Sequence, residues 1–213
     1  MYVCPMGCCP PRGAEPFTSG TARRDARRYG RRGLDRAAAG LVDLADPAGL
    51  RILEIGAGVG AVQVEVLRRG ATWSTGVEIS PAYDAVAHDL LQRAGVRERT
   101  HRLVADLLRE PSSVPAADVV LLHRVVCCTP DAPALLAAAA ALAIRRLVFT
   151  YPRFDLLTET GQHVVNAAAA LRGWGWRFRV HPPAELVAAA QTTGLRHRVV
   201  PTSGFWRVAV LDR

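Results

Sequence analysis

Between residues 51 and 151 the sequence alternates short apolar runs with segments of helical periodicity, and this alternation restricts the possible folds more than any other feature. The apolar runs have the length of buried strands, and the segments between them place apolar residues at helical spacing. Such an alternation predicts a parallel sheet with helices on both faces. Strands are predicted at 51–55, 72–79, 101–105, 118–123 and 146–151, and the intervening helices at 61–69, 81–94 and 132–144.

The flanking regions depart from this rhythm. Residues 1–20 are rich in Cys, Pro and Gly and indicate an irregular arm, whereas 21–45 predict one long helix with Thr21 as its cap. After residue 152 the sequence predicts helices at 156–171 and 184–193 and a closing hairpin at 196–200 and 205–211. We therefore predict one domain over 21–213, with an N-terminal helical cap at 21–46 and a substrate-side helical insertion at 152–194.

Composition excludes several classes of protein. Half of the residues are hydrophobic, so a disordered chain is not expected. The longest apolar stretch, 132–144, falls short of the roughly 20 residues that a membrane span needs, and the first residues lack the pattern of a secretion signal. We expect a cytoplasmic protein. The net charge is +8 and all 27 basic residues are arginine, which indicates codon bias as well as a basic surface.

The segment 53–60 carries the most specific motif, Leu-Glu-Ile-Gly-Ala-Gly-Val-Gly. A strand ends in an acidic residue, Glu54, and Gly56, Gly58 and Gly60 then lead into a helix. Glycine at such places lets the backbone turn sharply and lets a ligand approach closely. Glu78 lies at the end of the next strand, where its carboxylate would accept hydrogen bonds from both hydroxyls of a ribose.

A dinucleotide-binding loop uses a related design, and two details separate it from this sequence. Its glycines follow the spacing G-x-G-x-x-G, whereas this loop has G-x-G-x-G. In addition, the acidic Glu54 would repel a pyrophosphate and suits a ligand with a positively charged amino-acid end. A nucleotide-binding relative without transferase activity remains the alternative at this point.

With these residues the sequence resembles the class I methyltransferases, which use S-adenosylmethionine and release S-adenosylhomocysteine. The resemblance covers roughly residues 34–151. It implies a Rossmann-like α/β fold with a seven-stranded, mostly parallel sheet whose last strand is antiparallel. It also implies that the loop contacts the methionine end, Glu78 the ribose and Asp106 the adenine. The cofactor-binding residues that it suggests are Glu54, Gly56, Ala57, Gly58, Gly60, Glu78, Ile79, Asp106, Leu107 and His123.

The methyl acceptor would lie beyond the carboxyl ends of the strands. His123 ends the fourth strand and is a candidate general base, with loop orientation as the alternative role. Tyr151 at the end of the fifth strand is a second candidate. Because positioning alone supplies much of the rate of such a displacement, a dedicated base is not required.

Five cysteines, Cys4, Cys8, Cys9, Cys127 and Cys128, form a third candidate group. If the N-terminal arm folds over the site, its three cysteines would lie beside Cys127 and Cys128, so that up to five thiols would converge. Their thiols would then hold a soft metal or a thiophilic substrate such as trivalent arsenic, or act in catalysis. The spacing C-x3-C-C matches no known zinc motif, so no metal ligand is assigned, and inert core cysteines are the alternative.

These observations favour a methyltransferase of small molecules, with an O, N or S acceptor atom, in bacterial specialised metabolism. An acidic acceptor fits the positive charge. The first alternative is an RNA methyltransferase, indicated by the columns Arg23, Arg27, Arg31 and Arg24, Arg28, Arg32. The others are a thiol or metalloid methyltransferase and a metal-binding sensor. We expect no membrane partner, and a monomer or a homodimer.

Overall fold

We describe residues 16–201 and 204–213 of a computed structural model of the chain. The helices are α1 Ser19–Arg32, α2 Arg36–Ala45, α3 Ala61–Arg68, α4 Asp84–Arg93, α5 Ala132–Leu142, α6 Leu156–Leu171 and α7 Pro183–Gln191. The strands are β1 Arg51–Ile55, β2 Trp73–Glu78, β3 Thr100–Val104, β4 Ala117–Leu122, β5 Ala143–Pro152, β6 Arg196–Arg198 and β7 Trp206–Asp212. Three short 3-10 turns, at Pro81–Tyr83, Arg97–Arg99 and Pro111–Ser113, lie between them.

All of these strands join one sheet in the order β3-β2-β1-β4-β5-β7-β6. The first five pair in parallel, and β7 is antiparallel to both β5 and β6. The predicted seven-stranded, mostly parallel sheet is therefore confirmed. The strand order reverses between β1 and β4, and the carboxyl edge at such a reversal is where open α/β sheets bind ligands.

The central strands are buried on both faces, which explains their almost continuously apolar sequences. Successive side chains of a strand point to opposite faces. Accordingly Leu53 packs into the cluster that includes α5 and α7, whereas Ile52 packs into the cluster that includes α2, α3 and α4. The sheet is thus held between two helical layers, and its carboxyl edge is left for the loops that form the site.

The single N-terminal helix predicted over 21–45 is wrong, because the structure has two helices there. Gly33 ends α1 with a φ of 67°, a left-handed conformation that glycine adopts without strain. Asp35 then begins α2, and its carboxylate accepts hydrogen bonds from the N–H groups of Ala37 and Ala38, both at 3.0 Å. Thr18, not Thr21, caps α1. The break places Asp35 beside the end of β4.

The C-terminal part contains the predicted helix 156–171 with its predicted ends and the predicted β6–β7 pairing. The segment 174–180 between α6 and α7 is irregular. Asn166 of α6 fixes it by donating to the carbonyl of Phe178 at 2.8 Å and accepting from its N–H at 2.7 Å. Across the described ranges, no helix has the length and apolar character needed to cross a membrane.

Candidate functional site

The loop after β1 is the centre of the site. Gly56, Gly58 and Gly60 have φ values of 72°, 50° and 79°, a region that strains other L-residues. The N–H groups of Gly56 and Ala57 both donate to the carbonyl of Val77, at 2.8 and 2.9 Å. These bonds fix the loop to the end of β2.

Four N–H groups of the loop are bonded within the protein. Beyond the two bonds to Val77, the N–H of Gly58 donates to Glu78 and that of Gly60 donates to the carbonyl of Ala57, both at 2.8 Å. A pyrophosphate-binding loop instead presents such N–H groups to the phosphates. The hydrogen bonds therefore argue against the dinucleotide alternative.

The three glycines serve different purposes. A Cβ at Gly56 would lie 2.4 Å from Val125 Cγ2, so this glycine allows the loops after β1 and β4 to touch. A Cβ at Gly60 would meet Gln63 at 3.3 Å and Leu91 at 3.4 Å, within the core. At Gly58 the nearest atom would be in Tyr83 at 3.8 Å. Gly58 is thus the loop glycine with room for a ligand.

Glu78 lies beside the open side of Gly58. Its Oε2 accepts from the Gly58 N–H at 2.8 Å, and its Oε1 accepts from the Ser80 N–H at 2.9 Å. Each carboxylate oxygen keeps a further lone pair, so the side chain is fixed in place and can still accept two hydroxyl donors. Its position fits the ribose role that the resemblance implies.

Glu54 is a buried acid with an unused oxygen. The side chain is 3% exposed, and its Oε2 has no hydrogen-bond partner. Burial raises its pKa to about 8, which the neighbouring charge of Glu78 reinforces and that of Arg102 opposes. A carboxyl group in this state gains a partner when a cation arrives. It therefore fits the charged amino-acid end of S-adenosylmethionine.

Two residues that support the loop were missed by the sequence analysis. The side chain of Arg102, 3% exposed, donates to the carbonyl of Gly58 and to Gln63 Oε1, each at 2.9 Å, and pairs with Asp84 at 3.3 Å. A Cβ at Gly76 would lie 2.5 Å from Gln63 Oε1, so only glycine fits there. The signal for such a role was an arginine within a predicted strand, because Arg102 lies in β3, on the far side of β2 from the strand that carries the motif.

Asp106, predicted for adenine, lies after β3 with Leu107, and Ile79 lies after β2; the last two were predicted to contact the cofactor. Ile79 is 54% exposed, which suits an apolar contact with a planar base, whereas Leu107 is buried in the core. Asp106 Oδ1 accepts from the Leu108 N–H at 3.0 Å, and its Oδ2 pairs with Arg109 at 3.4 Å. The adenine role of Asp106 stays a prediction.

His123 is held at both ring nitrogens. Its Nε2 lies 3.6 Å from Asp35 Oδ2, and its Nδ1 lies 3.2 Å from Thr150 Oγ1. Since Asp35 only accepts, the proton belongs on Nε2, and Nδ1 then accepts from Thr150. The nearby His123 ring is the main reason that the pKa of Asp35 is far below its ordinary value. The ring is thus fixed between Asp35 and Thr150, and its catalytic role stays a prediction.

Arg124 continues this connection with a φ of 59°. Its N–H donates to Thr150 Oγ1 at 2.8 Å, and its Nη2 pairs with Asp35 at 2.9 Å. Its guanidinium lies 5.0 Å above the ring of Trp206. The break between α1 and α2 is thereby joined to the ends of β4 and β5, which the sequence did not predict.

Tyr151 is half-buried at the end of β5, and burial raises the pKa of its hydroxyl. Its ring lies 5.9 Å from that of Phe149, which is fully buried. The structure gives the Tyr151 hydroxyl no hydrogen bond to the other predicted catalytic residues among the described parts of the chain. Its catalytic role stays a prediction.

Cys127 and Cys128 form a pair of free thiols after β4, with their Sγ atoms 3.6 Å apart. Cys4, Cys8 and Cys9 lie outside the described residues, so the predicted convergence of five thiols is not tested. No group of three or more side chains able to ligate a metal forms within the ranges 16–201 and 204–213.

Comparison with known proteins identifies the domain. Residues 53–145, which hold the glycine loop, Glu78 and the β4 loop, match a family model described as a methyltransferase domain. The chain therefore carries a methyltransferase domain, and its fold is that of the class I S-adenosylmethionine-dependent enzymes. A search of curated protein sequences finds no significant match.

Solved structures share the fold of this methyltransferase at low identity. Magnesium protoporphyrin IX methyltransferase from Synechocystis PCC 6803 with bound S-adenosylhomocysteine is 20% identical, with a TM-score of 0.68 over 92% of this chain and 95% of that one. An O-methyltransferase family 2 protein from Planctomyces limnophilus in complex with apigenin is 20% identical, with a TM-score of 0.68 over 91% and 61%. Geranyl diphosphate C-methyltransferase from Streptomyces coelicolor is 15% identical, with a TM-score of 0.67 over 83% and 74%.

The cofactor is S-adenosylmethionine and the product S-adenosylhomocysteine, as predicted. When bound, S-adenosylmethionine would supply a methyl group attached to a sulfonium sulfur. After transfer, that sulfur remains in S-adenosylhomocysteine as a neutral thioether. The chain's own part would be to hold it, with Glu54 at the charged end, Glu78 at the hydroxyls, and Gly58 as the point of close approach. The unpartnered oxygen of Glu54 and the space at Gly58 fit such a group.

Replacing Glu54 with glutamine should stabilise the protein without ligand at high pH while weakening the binding of S-adenosylhomocysteine. A carboxyl whose pKa is raised to about 8 by burial loses stability as the pH rises from its unfolded pKa towards 8. Glutamine does not titrate. The difference in unfolding free energy between variant and wild type should therefore grow in favour of the variant by up to about 1.4 kcal/mol per pH unit. Urea unfolding at pH 5 to 8 measures it, and a pH-independent difference would contradict the burial effect.

Proposed function

We propose that the methyl acceptor is a small planar molecule bound against a row of aromatic rings at the carboxyl edge of the sheet. This acceptor wall consists of Phe17, Trp176, Phe178, Phe205 and Trp206. Successive ring centroids lie 6.5, 6.5, 6.4 and 5.3 Å apart. The rings of Phe178 and Phe205 are nearly parallel, at 25°, whereas the pairs at the two ends of the row meet edge-on. Such ring faces and edges favour stacked and edge-to-face contacts with a planar ligand.

A cavity of about 320 Å³ opens beside the wall, between α6 and the two rings of Phe178 and Phe205. This volume lies at the lower end of the range that small-molecule sites occupy. Its lining is mostly apolar, and the one charged side chain in it is that of Arg153. The other lining residues are Leu157, Thr158, Gly161, Gln162 and Val165.

The wall reaches the cofactor residues at its other end. Ser80, next to Glu78, donates from Oγ to the carbonyl of Phe17 at 3.1 Å. The segment that carries Trp176 is fixed to the β4 loop, because the N–H of Arg179 donates to the carbonyl of Cys127 at 2.8 Å. A molecule in the cavity would thus lie along a surface that continues to the cofactor residues, and this continuity is the observation that carries the proposal.

The wall is bordered by positive charge, which favours an acidic acceptor. Arg124 stacks on Trp206, and Arg153 lines the cavity, although Asp155 pairs with Arg153. Arg177 and Arg179 belong to the same segment as Trp176. The similar structures include methyltransferases named for magnesium protoporphyrin IX, geranyl diphosphate and mitomycin. We propose an oxygen, nitrogen or sulfur acceptor atom on a compound of this size.

The arginine columns of α1 do not favour RNA over a small molecule. All six arginines are exposed, and Arg28 pairs with Asp25 at 3.7 Å, as on a solvated helix face. Tyr29, the one aromatic residue of this helix, is half-buried and donates from its hydroxyl to Glu65 Oε1, so it is not presented for the base stacking that single-stranded RNA uses. A role in specialised metabolism, a cytoplasmic location and a monomeric or homodimeric state complete the proposal.

The proposal is tested by following S-adenosylhomocysteine release with a panel of phenols, aromatic carboxylic acids and quinols, and with total RNA as the competing acceptor. Replacing Phe178 with alanine should raise KM for the best small acceptor about 10-fold, since one face of the wall is lost, and leave the Kd of S-adenosylhomocysteine within about 2-fold. Trp73→Ala is the control, because Trp73 is an aromatic residue that begins β2, at the amino edge of the sheet and away from the wall. Turnover on RNA alone, unaffected by Phe178→Ala, would overturn the proposal.

A further inference from the structure

Arg124 has a backbone conformation that its residue type does not explain. It follows the end of β4 and has a φ of 59°, in the left-handed region that strains residues with a side chain. Within the parts of the chain that the structure describes, Asp46 is the one other non-glycine residue with a positive φ, and it caps the end of α2. Arg124 lies at no helix end. Strain of this kind persists only where surrounding contacts hold it, and it concentrates at functional sites.

Two side chains hold the strained residue in place. The backbone N–H of Arg124 donates to Thr150 Oγ1 at 2.8 Å, and its Nη2 lies 2.9 Å from Asp35 Oδ2. The other oxygen of Asp35 accepts from the N–H groups that begin α2, so this carboxylate cannot follow the arginine if the loop moves. Arg124 is therefore tied to β5 by its backbone and to α2 by its side chain.

These contacts place the guanidinium at the acceptor wall. Its Cζ atom lies 5.0 Å from the centroid of the Trp206 ring, within the range of a cation–π contact. The next residue, Val125, lies opposite the cofactor loop, since its Cγ2 would be 2.4 Å from a Cβ at Gly56. Arg124 thus connects the wall to the loop that approaches S-adenosylmethionine.

The guanidinium has donors that the protein does not use. An arginine side chain carries five N–H donors, and the ion pair with Asp35 is made by Nη2. Nε is buried and has no hydrogen-bond partner among the described residues. The side chain as a whole is 34% exposed, so the group is reached from solvent. A donor left without a partner is costly, and charge-assisted hydrogen bonds from this guanidinium to an anion would offset that cost.

We propose that Arg124 is the residue that selects an acidic acceptor, and that Asp35 is the residue that positions it. This inference rests on the proposed function, since the acid would be a carboxylate on the planar molecule bound at the wall. A carboxylate matches the planar fork of a guanidinium and can take two parallel hydrogen bonds from it. Arg153, the other arginine at the cavity, differs because its Nε is paired with Asp155.

The test compares each aromatic carboxylic acid of the panel with its carboxamide, which has nearly the same shape and no charge. The wild type should have the higher kcat/KM for the acid. Arg124→Asn removes the guanidinium, and asparagine tolerates the left-handed backbone. It should lower the acid-to-amide ratio of kcat/KM about 10- to 100-fold, the value of one hydrogen bond to a charged group, and leave the Kd of S-adenosylhomocysteine within about 2-fold. Arg51→Gln controls for the lost charge, because Arg51 begins β1 at the amino edge and also pairs with an aspartate.

Asp35→Asn separates the positioning role from helix capping. Asparagine begins a helix as well as aspartate does, but its amide replaces Oδ2 with a donor that faces the donors of Arg124. The acid-to-amide ratio should fall about 2- to 5-fold, the value of an ion pair between partly exposed groups. Asp131→Asn is the matched control and should leave the ratio unchanged. Asp131 caps α5 through the N–H of Ala134, at 2.9 Å, and forms no ion pair with another described residue.

The acid-to-amide ratio distinguishes recognition from general loosening of the loop, which would slow both acceptors alike. Equal losses on acid and amide in Arg124→Asn, or no acid preference in the wild type, would overturn the proposal, and an unchanged ratio in Asp35→Asn would refute the positioning role. If Arg124→Asn does not fold, Arg124→Lys carries the test, since it keeps the charge and loses the planar fork.

Failure of the proposed function gives a different result. If no acceptor of the panel is methylated, the proposed function fails, and binding decides the role of Arg124 separately. Isothermal titration calorimetry of the full chain saturated with S-adenosylhomocysteine then compares 4-hydroxybenzoate with 4-hydroxybenzamide. Tighter binding of the acid by the wild type, lost in Arg124→Asn, would support the role, and equal binding of the two probes would refute it.

Discussion

Replacing Glu78 with glutamine will weaken the binding of S-adenosylhomocysteine about 100-fold, or about 2.7 kcal/mol. The carboxylate accepts from the N–H groups of Gly58 and Ser80, and its remaining lone pairs are the acceptors available to two ribose hydroxyls. An amide replaces one of these oxygens with a donor group and removes the charge. Hydrogen bonds to a charged group contribute about 1.5–3 kcal/mol each, so losing one accounts for the expected effect.

Isothermal titration calorimetry measures this change, and Glu98→Gln provides the control because Glu98 is an exposed glutamate in the turn before β3. Thermal unfolding of both variants shows whether the fold persists. Binding of wild-type strength by a folded Glu78→Gln protein would refute the ribose role.

Replacing Gly56 with alanine should be the most damaging single-methyl change in the loop. The new Cβ would lie 2.4 Å from Val125 Cγ2 in a residue whose φ is 72°. The backbone strain costs about 1–2 kcal/mol, and forcing an extra methyl group into packed surroundings costs about 1–3 kcal/mol. We expect a loss of about 3–4 kcal/mol in unfolding free energy, together with loss of measurable S-adenosylhomocysteine binding.

Gly49→Ala is a matched control for this experiment. Gly49 has nearly the same φ, 75°, and an added Cβ would meet nothing within 4 Å. It should therefore show the backbone cost alone, about 1–2 kcal/mol, with cofactor binding retained. Equal losses in the two variants would mean that the contact between Gly56 and Val125 does not constrain the loop.

Local sequence features were sufficient where the physics is local. The apolar run ending at Ile55 and the glycines that follow it predict the first strand and its turn. Both features depend on neighbouring residues, because a buried strand needs consecutive apolar residues and a left-handed turn favours glycine. The helix 156–171 was predicted at its observed ends. Errors arose where two local signals competed: the helical periodicity from 21 to 45 hid the stop signal at Gly33 and the cap at Asp35.

The family motif also allowed the cofactor and its binding residues to be predicted. Glu54, Gly58 and Glu78 were chosen from their spacing, and the fold brings them to one edge because β1 and β2 are parallel neighbours in register. Glu78 therefore reaches Gly58, 20 residues away in sequence, at 2.8 Å. The different purposes of Gly56, Gly58 and Gly60 were not readable from the sequence, since each depends on which distant side chain lies opposite.

The sequence by itself determined the alternation of strands and helices, the glycine loop and its two acids, and hence the family and the cofactor. Only the tertiary structure decided what supports and surrounds that loop. Arg102 donates to the carbonyl of Gly58, which lies 44 residues earlier in the sequence. His123 is fixed between Asp35 and Thr150, which lie in two other parts of the chain. The physical reason is that hydrogen bonds and burial act through space, so the protonation and availability of a side chain are set by neighbours that the chain path does not reveal.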